Sequence, residues 1–350
     1  MSCCRRRYAP LRLDPHIENR RLPATIRNYR KSVQTFVTWC TDAGVCPHTF
    51  EELDDLLVEW KNLGKPPRSV FHNCFAAMEL IFPGSKISLP WTKAVGIAWD
   101  VHHPTAHHKP LPQALALLFA TVFAMLGYCR LGAGLVIQQA KGLRPSELLG
   151  LRGADIYIPS LQVFGNKKSV VINLGSKHGT KSKRSQCVVL SSEDCPIAYS
   201  LAIELATSTP SAQSVFNGIS LAQYQTVLRK ASGLLGLTGY TPHSPRAGFA
   251  SDAMLCNKGF VNIREEGRWL SDASLRIYLD LVSTAQQGAT MDVAKWECVI
   301  NNLASHFLDI LPRWPDCPTS PTRDLPIALM EALQQFSHPR SPPISKLKLK

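Results

Sequence analysis

One apolar stretch constrains the fold of this chain more than any other feature. From Leu111 to Cys129 almost every residue is hydrophobic, with Gln113 as the only strongly polar interruption. Such a run is as long as a membrane span, but it also suits a helix buried in the core of a large domain. Because the sequence offers no second span and the next segment is amphipathic, we expect a core helix. A membrane protein is the less favoured alternative.

The composition favours a globular protein with an anionic partner. A chain of 350 residues is long enough for two domains. Lys and Arg number 39 against 26 Asp and Glu, and the net charge of +13 favours nucleic acid or an acidic membrane surface. The 11 cysteines contain no CxxC pair, and no apolar segment follows the basic start. We therefore expect an intracellular protein with reduced thiols, not a secreted one.

The first part of the chain is predicted to hold a basic arm and a small helical domain. Residues 1–22 are basic and interrupted by proline, which suits a flexible arm. Apolar residues recur at helical spacing from Thr25, and two more helices are expected at 50–63 and 69–82. These helices predict a domain over 23–100. The polar side of its first helix carries three candidate DNA-binding residues, Arg27, Arg30 and Lys31.

A proline-containing stretch at 83–110 predicts the connection to a second domain, with the linker itself at 101–110. It contains four histidines, His102, His103, His107 and His108. Four imidazoles this close could bind a metal ion. However, no cysteine or carboxylate completes a common ligand spacing, so a basic linker is favoured and no metal or cofactor is expected.

The second domain is predicted to be mainly helical with one β-hairpin. Helices dominate 111–152 and resume at about 196, running to about 310. Between them, β-branched runs at 170–174 and 187–190 flank a turn rich in Gly, Lys and Ser. The fold class is therefore mainly α with a small β-hairpin or sheet, an α+β arrangement. The proline-rich residues 312–350 predict a basic, mostly extended tail.

Three local motifs carry residue types that bind or attack phosphate. Arg144 precedes Pro-Ser-Glu-Leu at a helix start, and His243 and Arg246 share one side of a helix entrance. Trp269 and Tyr278 lie at the two ends of a third motif. Each motif alone has an ordinary explanation, since helix-start arginines, HxxR pairs and half-buried tyrosines are common in proteins of every kind.

Taken in order, the three motifs resemble those of the tyrosine recombinase (phage integrase) family. That family has an Arg followed by Ser-Glu-Leu, a hairpin Lys, His-x-x-Arg, and a His or Trp before a nucleophilic Tyr. The matching residues are Arg144, His243, Arg246, Trp269 and Tyr278. The resemblance covers about 110–290 and, less specifically, a core-binding domain at 25–100. The segment Arg-Ala-Gly-Phe-Ala-Ser-Asp at 246–252 resembles the corresponding segment of family members carried by eukaryotic mobile elements.

The resemblance implies an enzyme that cleaves and rejoins DNA through a 3′-phosphotyrosyl link, without metal or ATP. Tyr278 would be the nucleophile, and Arg144 and Arg246 would bind the phosphate through their guanidinium forks. A tyrosine hydroxyl with a pKa near ~10 needs a base, and His243 would take its proton. Trp269 would pack on the phosphate or donate its indole N–H.

The resemblance also implies a hairpin lysine that protonates the leaving 5′ oxygen. Lys177 matches the family position best and Lys181 is the second candidate, so the two stay alternatives. Glu147 would steady the side chain of Arg144. The chain departs from the family at Pro245, where Leu is usual, and at Ala247, where His is common. Proline is tolerated in a first helical turn, so activity is still expected.

The resemblance implies a catalytic domain at 111–290 and a helix at 291–311 that docks on a neighbouring subunit or packs within its own. Double-stranded DNA and a homotetramer on that DNA are the expected partners, with no membrane. The protein would be found with DNA, in the nucleus if the source is eukaryotic. Two alternatives stay open: a co-opted, catalytically silent DNA-binding protein and an enzyme of the type IB topoisomerase kind.

Overall fold

A computed structural model describes four stretches of the chain, residues 23–103, 108–159, 168–175 and 186–279. The chain divides into two units, Met1–Ala106 and His107–Lys350, each with its own apolar core. The described residues are mostly helical, with one three-stranded antiparallel sheet. The predicted fold class, mainly α with a small sheet, is confirmed.

The first unit is built from helices around an aromatic core. Its helices are α1 (Pro23–Asp42), α2 (Phe50–Glu59), α3 (Arg68–Ile81), α4 (Ser85–Ser88) and α5 (Pro90–His102). Phe36, Leu57, Trp60 and Phe71 fill the space between them. The first three helices agree with the helical periodicity of the sequence. The basic residues Arg27, Arg30 and Lys31 are exposed on α1.

Helix α5 lies within the stretch where prolines predicted a connection. Pro90 is its first residue, a position where the missing N–H has no intrahelical partner to lose. The buried carboxylate of Asp54 accepts hydrogen bonds from the N–H groups of Trp91 and Thr92, both at 2.8 Å, and so caps α5 from another helix. The expectation of a connection from residue 83 onward was wrong, because proline here starts a helix.

The second unit is organised around two buried helices, α6 and α7. Its helices are α6 (Gln113–Met125), α7 (Cys129–Lys141), α8 (Pro145–Leu149), α9 (Pro196–Ser208), α10 (Leu221–Leu234), α11 (Ser244–Leu255), α12 (Phe260–Glu266) and α13 (Asp272–Arg276). The apolar run forms α6, where Leu118, Phe119 and Phe123 are fully buried, so the predicted core helix is confirmed. Within the stretches that the structure describes, no helix has the length and apolar character to cross a membrane.

The sheet combines the predicted hairpin with one short extra strand. The strands are β1 (Ile156–Tyr157), β2 (Ser169–Asn173) and β3 (Cys187–Ser191). β2 pairs antiparallel with both neighbours, and Val171 lies opposite Val189. Val170 and Ile172 are both buried in the core, since alternate side chains of a strand lie on the same face. The two-residue strand β1 was not expected, because it is too short to show a pattern.

Several predicted features lie outside the described residues. They are the basic arm at 1–22, the hairpin tip with Lys177 and Lys181, the helix at 291–311 and the tail at 312–350. Among the residues that are described, no group of three or more His, Cys, Asp or Glu side chains is placed to hold a metal ion.

Candidate active site

Arg144 lies in the turn between α7 and α8. Gly142 ends α7 with φ at +57°, in the left-handed region that favours glycine. Arg144 is the N-cap of α8, and its backbone N–H donates to Glu147 Oε2 at 2.8 Å. Its guanidinium pairs with Glu147 Oε1 and donates to the carbonyl of Arg268 at 3.2 Å. One carboxylate therefore holds both the backbone and the side chain of Arg144.

Arg246, on α11, is almost completely buried, with 1% of its surface exposed. Its guanidinium donates through Nη1 to the carbonyl of Gly142 and through Nη2 to the carbonyl of Gly267 at 2.7 Å. Its Cζ lies 4.0 Å from the ring centre of Trp269 and 5.6 Å from that of Tyr278. The planar fork of Arg246 thus joins the turn before Arg144 to the turn before Trp269.

Tyr278 follows the short helix α13. Ser271 caps that helix, because its hydroxyl accepts from the N–H of Ser274 at 3.2 Å. The backbone N–H of Tyr278 donates to Leu275 at 2.8 Å, and its half-buried ring lies 5.4 Å from that of Trp269, centre to centre. The cap and this last turn place the tyrosine beside Trp269 and over Arg246.

His243 reaches the same place from the loop before α11. Its backbone N–H donates to Thr241 Oγ1 at 3.3 Å. Its ring stacks on that of His108, with centres 5.0 Å apart and planes inclined by 15°. His108 in turn lies 6.3 Å from the ring of Tyr278. The fold therefore brings together, from three separate motifs, the residues Arg144, Glu147, His243, Arg246, Trp269 and Tyr278.

A second buried arginine, Arg268, was missed by the sequence analysis. Its Nη2 donates to Glu147 Oε2 at 3.0 Å and to the carbonyl of Gly142 at 3.3 Å. Its backbone has φ of +59°, a conformation that costs a non-glycine residue free energy. The only signal in the sequence was its position beside Trp269, because nothing local reveals a pairing with Glu147.

Glu147 is the carboxylate that pairs with Arg144 and Arg268 in this cluster of charged groups. Burial opposes ionisation of Glu147, but Arg268 and Arg144 outweigh it and lower the pKa of the carboxyl below its ordinary value. Burial, together with Arg144 and Arg268, lowers the pKa of Arg246 to about 9. Arg246 is therefore still a cation at neutral pH. Three guanidinium groups around one carboxylate leave an excess of positive charge in the site.

Three of these side chains keep buried donors without an acceptor in the described part of the chain. They are Nε of Arg246, Nε of Arg268 and Nε1 of Trp269. Because leaving a buried donor unsatisfied costs about 1–3 kcal/mol, three in one place indicate a site arranged for an acceptor. All three atoms are covered, so an anion that uses them requires a small shift of the surrounding side chains.

The amide of Gln138 connects the loops that carry Arg144 and His243. This residue of α7 is fully buried. Its Nε2 donates to the carbonyls of Leu143 at 3.1 Å and Pro242 at 2.8 Å, and its Oε1 accepts from the hydroxyl of Tyr224 at 2.7 Å. Leu143 precedes Arg144 and Pro242 precedes His243, so one amide holds the backbone next to both site residues. Nothing in the sequence singled out Gln138, because the same helix also carries Arg130, Gln139 and Lys141.

Asp252 fixes helix α11, which carries Arg246, against α6 and α7. Its Oδ2 accepts from the backbone N–H of Gln113 and from Nε2 of Gln139, each at 2.8 Å. Burial raises the pKa of this carboxyl to about 6, and the two hydrogen bonds offset only part of that effect. A carboxyl that is easier to protonate in the folded chain adds stability below its ordinary pKa of 3.8 and loses it as the pH rises through 6.

Asp252→Asn is expected to remove this pH dependence. Relative to the parent chain, the free energy of unfolding of the variant should rise by about 2–3 kcal/mol between roughly pH 4 and pH 7. Urea unfolding at a series of pH values measures the difference. Asp194→Asn, at an exposed carboxylate, is the control and should show no trend. A difference between Asp252→Asn and the parent that stays constant with pH would contradict the assignment.

Comparisons with known proteins give a distant structural likeness. No family model matches the chain, and no curated protein matches it. Among solved structures, the chain is similar to that titled "Crystal structure of XerA recombinase", with a TM-score of 0.35 and 19% sequence identity. The match covers 78% of this chain and 93% of that one. A likeness at this level says nothing about individual residues.

Proposed function

We propose that this chain is a DNA strand-transferring enzyme of the tyrosine recombinase type. The observation that carries the proposal is the packing of Tyr278 against Trp269 and over the guanidinium of Arg246. These residues come from two different motifs. Arg144, from a third motif, pairs with Glu147, and Arg268 donates both to that carboxylate and to the Gly142 carbonyl to which Arg246 also donates.

The chemistry that suits this arrangement is attack of a tyrosine hydroxyl on a phosphodiester. The Oη of Tyr278 would form a bond to phosphorus as the bond from phosphorus to the 5′ oxygen breaks. His243 would take the proton of Tyr278, and the leaving oxygen would gain one from Lys177 or Lys181. Religation is the reverse reaction, so the phosphotyrosyl link conserves the bond energy and no nucleotide is consumed.

The two arginines would stabilise the charge that builds on the non-bridging oxygens. A guanidinium fork binds a phosphate through two parallel hydrogen bonds and stays charged at working pH. Donors already held in place need no reorganisation when charge develops, which makes them effective. Arg246 is held by two carbonyls and Arg144 by Glu147. Arg246 is buried against the rings of Trp269 and Tyr278, so Tyr278 or its neighbours would shift when DNA binds.

The partners follow from the same proposal. Double-stranded DNA would be the substrate, and the exposed basic residues of α1 would contact its backbone. A tetramer of this chain on DNA, with an outcome of integration, excision or inversion, is the corresponding prediction for the assembly.

Tyr278→Phe tests the proposal directly. DNA duplexes that bind the parent chain are first selected from a randomised pool. Each duplex carries a nick, so that the cleaved strand diffuses away and religation is prevented. The parent chain should form a covalent adduct with these duplexes. The Phe variant should bind the same duplexes and form none, since it lacks the attacking oxygen. Tyr199→Phe is a matched control, because Tyr199 is also half-buried but packs against the core away from the site.

Each outcome of this experiment has a definite meaning. An adduct that survives Tyr278→Phe would refute the nucleophile. DNA binding by the parent chain without any adduct would favour a catalytically silent DNA-binding protein. Relaxation of supercoiled plasmid without any preferred sequence would favour a topoisomerase of type IB.

A further inference from the structure

A second imidazole, that of His108, lies beside the proposed base and nucleophile. Its ring stacks on His243 at 5.0 Å and lies 6.3 Å from the ring of Tyr278. Its Nδ1 is 3.1 Å from the hydroxyl oxygen of Thr241, which also accepts from the backbone N–H of His243. One hydroxyl therefore connects the two histidines.

The segment that carries His108 is firmly attached to the site. The N–H of Leu111 donates to the carbonyl of Ser244 at 3.0 Å, and Leu111 is fully buried. A Cβ on Gly248 would come within 1.8 Å of the Leu111 carbonyl oxygen, so only glycine permits this approach. Lys109 Nζ donates to the backbone carbonyl of Thr238 at 3.2 Å and lies 4.8 Å from the ring centre of Tyr240. His108 thus belongs to the second unit, in a segment held by contacts with that unit's core and loops.

We propose that His108 is a positioning residue that holds the ring of His243 and takes the first proton of the stacked pair. The inference rests on the proposed function. Stacking fixes the plane of the His243 ring. The hydroxyl of Thr241 has a lone pair to accept from a protonated Nδ1 of His108.

The physical reason is repulsion between like charges. Two imidazoles 5.0 Å apart titrate as a pair, and a proton on one disfavours a proton on the other. With the first proton on His108, His243 stays neutral at lower pH and keeps its ability to accept the proton of Tyr278. His243 and Tyr278 are titratable groups whose rings contact that of His108, and the guanidinium of Arg246 lies beyond Tyr278. Of these, only His243 stacks on it.

The test is the pH dependence of adduct formation by the parent chain, His108→Phe and His108→Ala. Phenylalanine preserves a flat ring on His243 but takes no proton. We expect the acid-side midpoint of the rate to move up by about one pH unit in His108→Phe, from the Coulomb energy at this separation. His108→Ala should show the same movement and a further loss of rate of about tenfold at every pH, because the ring loses its support.

The outcomes separate this inference from the proposed function. His102→Phe, at an exposed histidine of the first unit, should leave rate and profile unchanged. If the parent chain forms no adduct, the proposed function fails. If the parent forms adduct and His108→Phe keeps the parental midpoint, the proposed function stands and the role of His108 as proton acceptor is overturned, even if His108→Ala is slow.

Discussion

Arg246→Lys is expected to reduce the rate of covalent adduct formation by about 10²- to 10³-fold. Lysine keeps the charge but not the planar fork. The parent guanidinium donates to the carbonyls of Gly142 and Gly267, which belong to different turns, while its face packs at 4.0 Å on Trp269. A single ammonium cannot satisfy both carbonyls and also direct donors at a phosphate.

The substitution separates charge from geometry. Because the net charge is unchanged, DNA affinity and its dependence on salt concentration should stay close to those of the parent. Single-turnover cleavage measures the rate, and a salt titration of binding measures the electrostatic contribution. Arg229→Lys, at an exposed arginine of α10, is the matched control and should retain the parental rate. An Arg246→Lys variant within about tenfold of the parent would argue against a phosphate-binding role, since loss of one preorganised donor costs more than that.

Glu147→Gln should lower the free energy of unfolding by about 3–5 kcal/mol, the usual effect of removing one partner from a buried ion pair. The side chain of Glu147 is 4% exposed, and it pairs with Arg144 and with Arg268, whose side chain is 7% exposed. A glutamine can still accept one hydrogen bond, but it removes the counter-charge of the buried guanidinium of Arg268 and of the partly exposed one of Arg144. Urea unfolding measures the loss, and Glu265→Gln at an exposed position of α12 should change stability by less than about 0.5 kcal/mol.

The pH dependence of this variant has the opposite sign to that of Asp252→Asn. The pKa of Glu147 is lowered in the folded chain, so its contribution is present above its ordinary pKa of 4.5 and is lost as the pH falls through the folded value. The penalty of Glu147→Gln should therefore shrink in acid. Adding Arg268→Gln should restore part of the stability, because the second substitution removes one uncompensated charge. Additive losses would contradict the pairing.

The sequence anticipated the elements that have a local cause. Helical periodicity from Thr25 places apolar side chains on one face, and a face that must be buried specifies a helix. The β-branched runs at 170–174 and 187–190 favour strands because such side chains pack well on a pleated surface. The strand β1 and the helix α5 were not predicted from the sequence. For β1 the reason is that two residues are too few to show a pattern. For α5 the reason is that proline both breaks helices and starts them, and the deciding contact comes from Asp54 on another helix.

The candidate site divides in the same way. The sequence was sufficient to identify candidate residues that belong to ordered motifs, because a motif keeps its residue types at fixed local spacing. These residues are Arg144, His243, Arg246, Trp269 and Tyr278. The positions of His108, Gln138 and Arg268 in the site could not be predicted, since they depend on contacts with residues far away in the chain. No local pattern encodes a stacked ring or a shared carboxylate.

By itself, then, the sequence determined a mainly helical fold with a small sheet, a buried apolar helix and the ordered motifs of the candidate site. Tertiary structure alone decided that one guanidinium joins two turns, that one carboxylate pairs with two arginines and that a histidine assigned to a linker stacks on His243. The physical reason is that periodicity and capping act over a few residues. Hydrogen bonds and charge pairs form between whichever groups the packed core brings together.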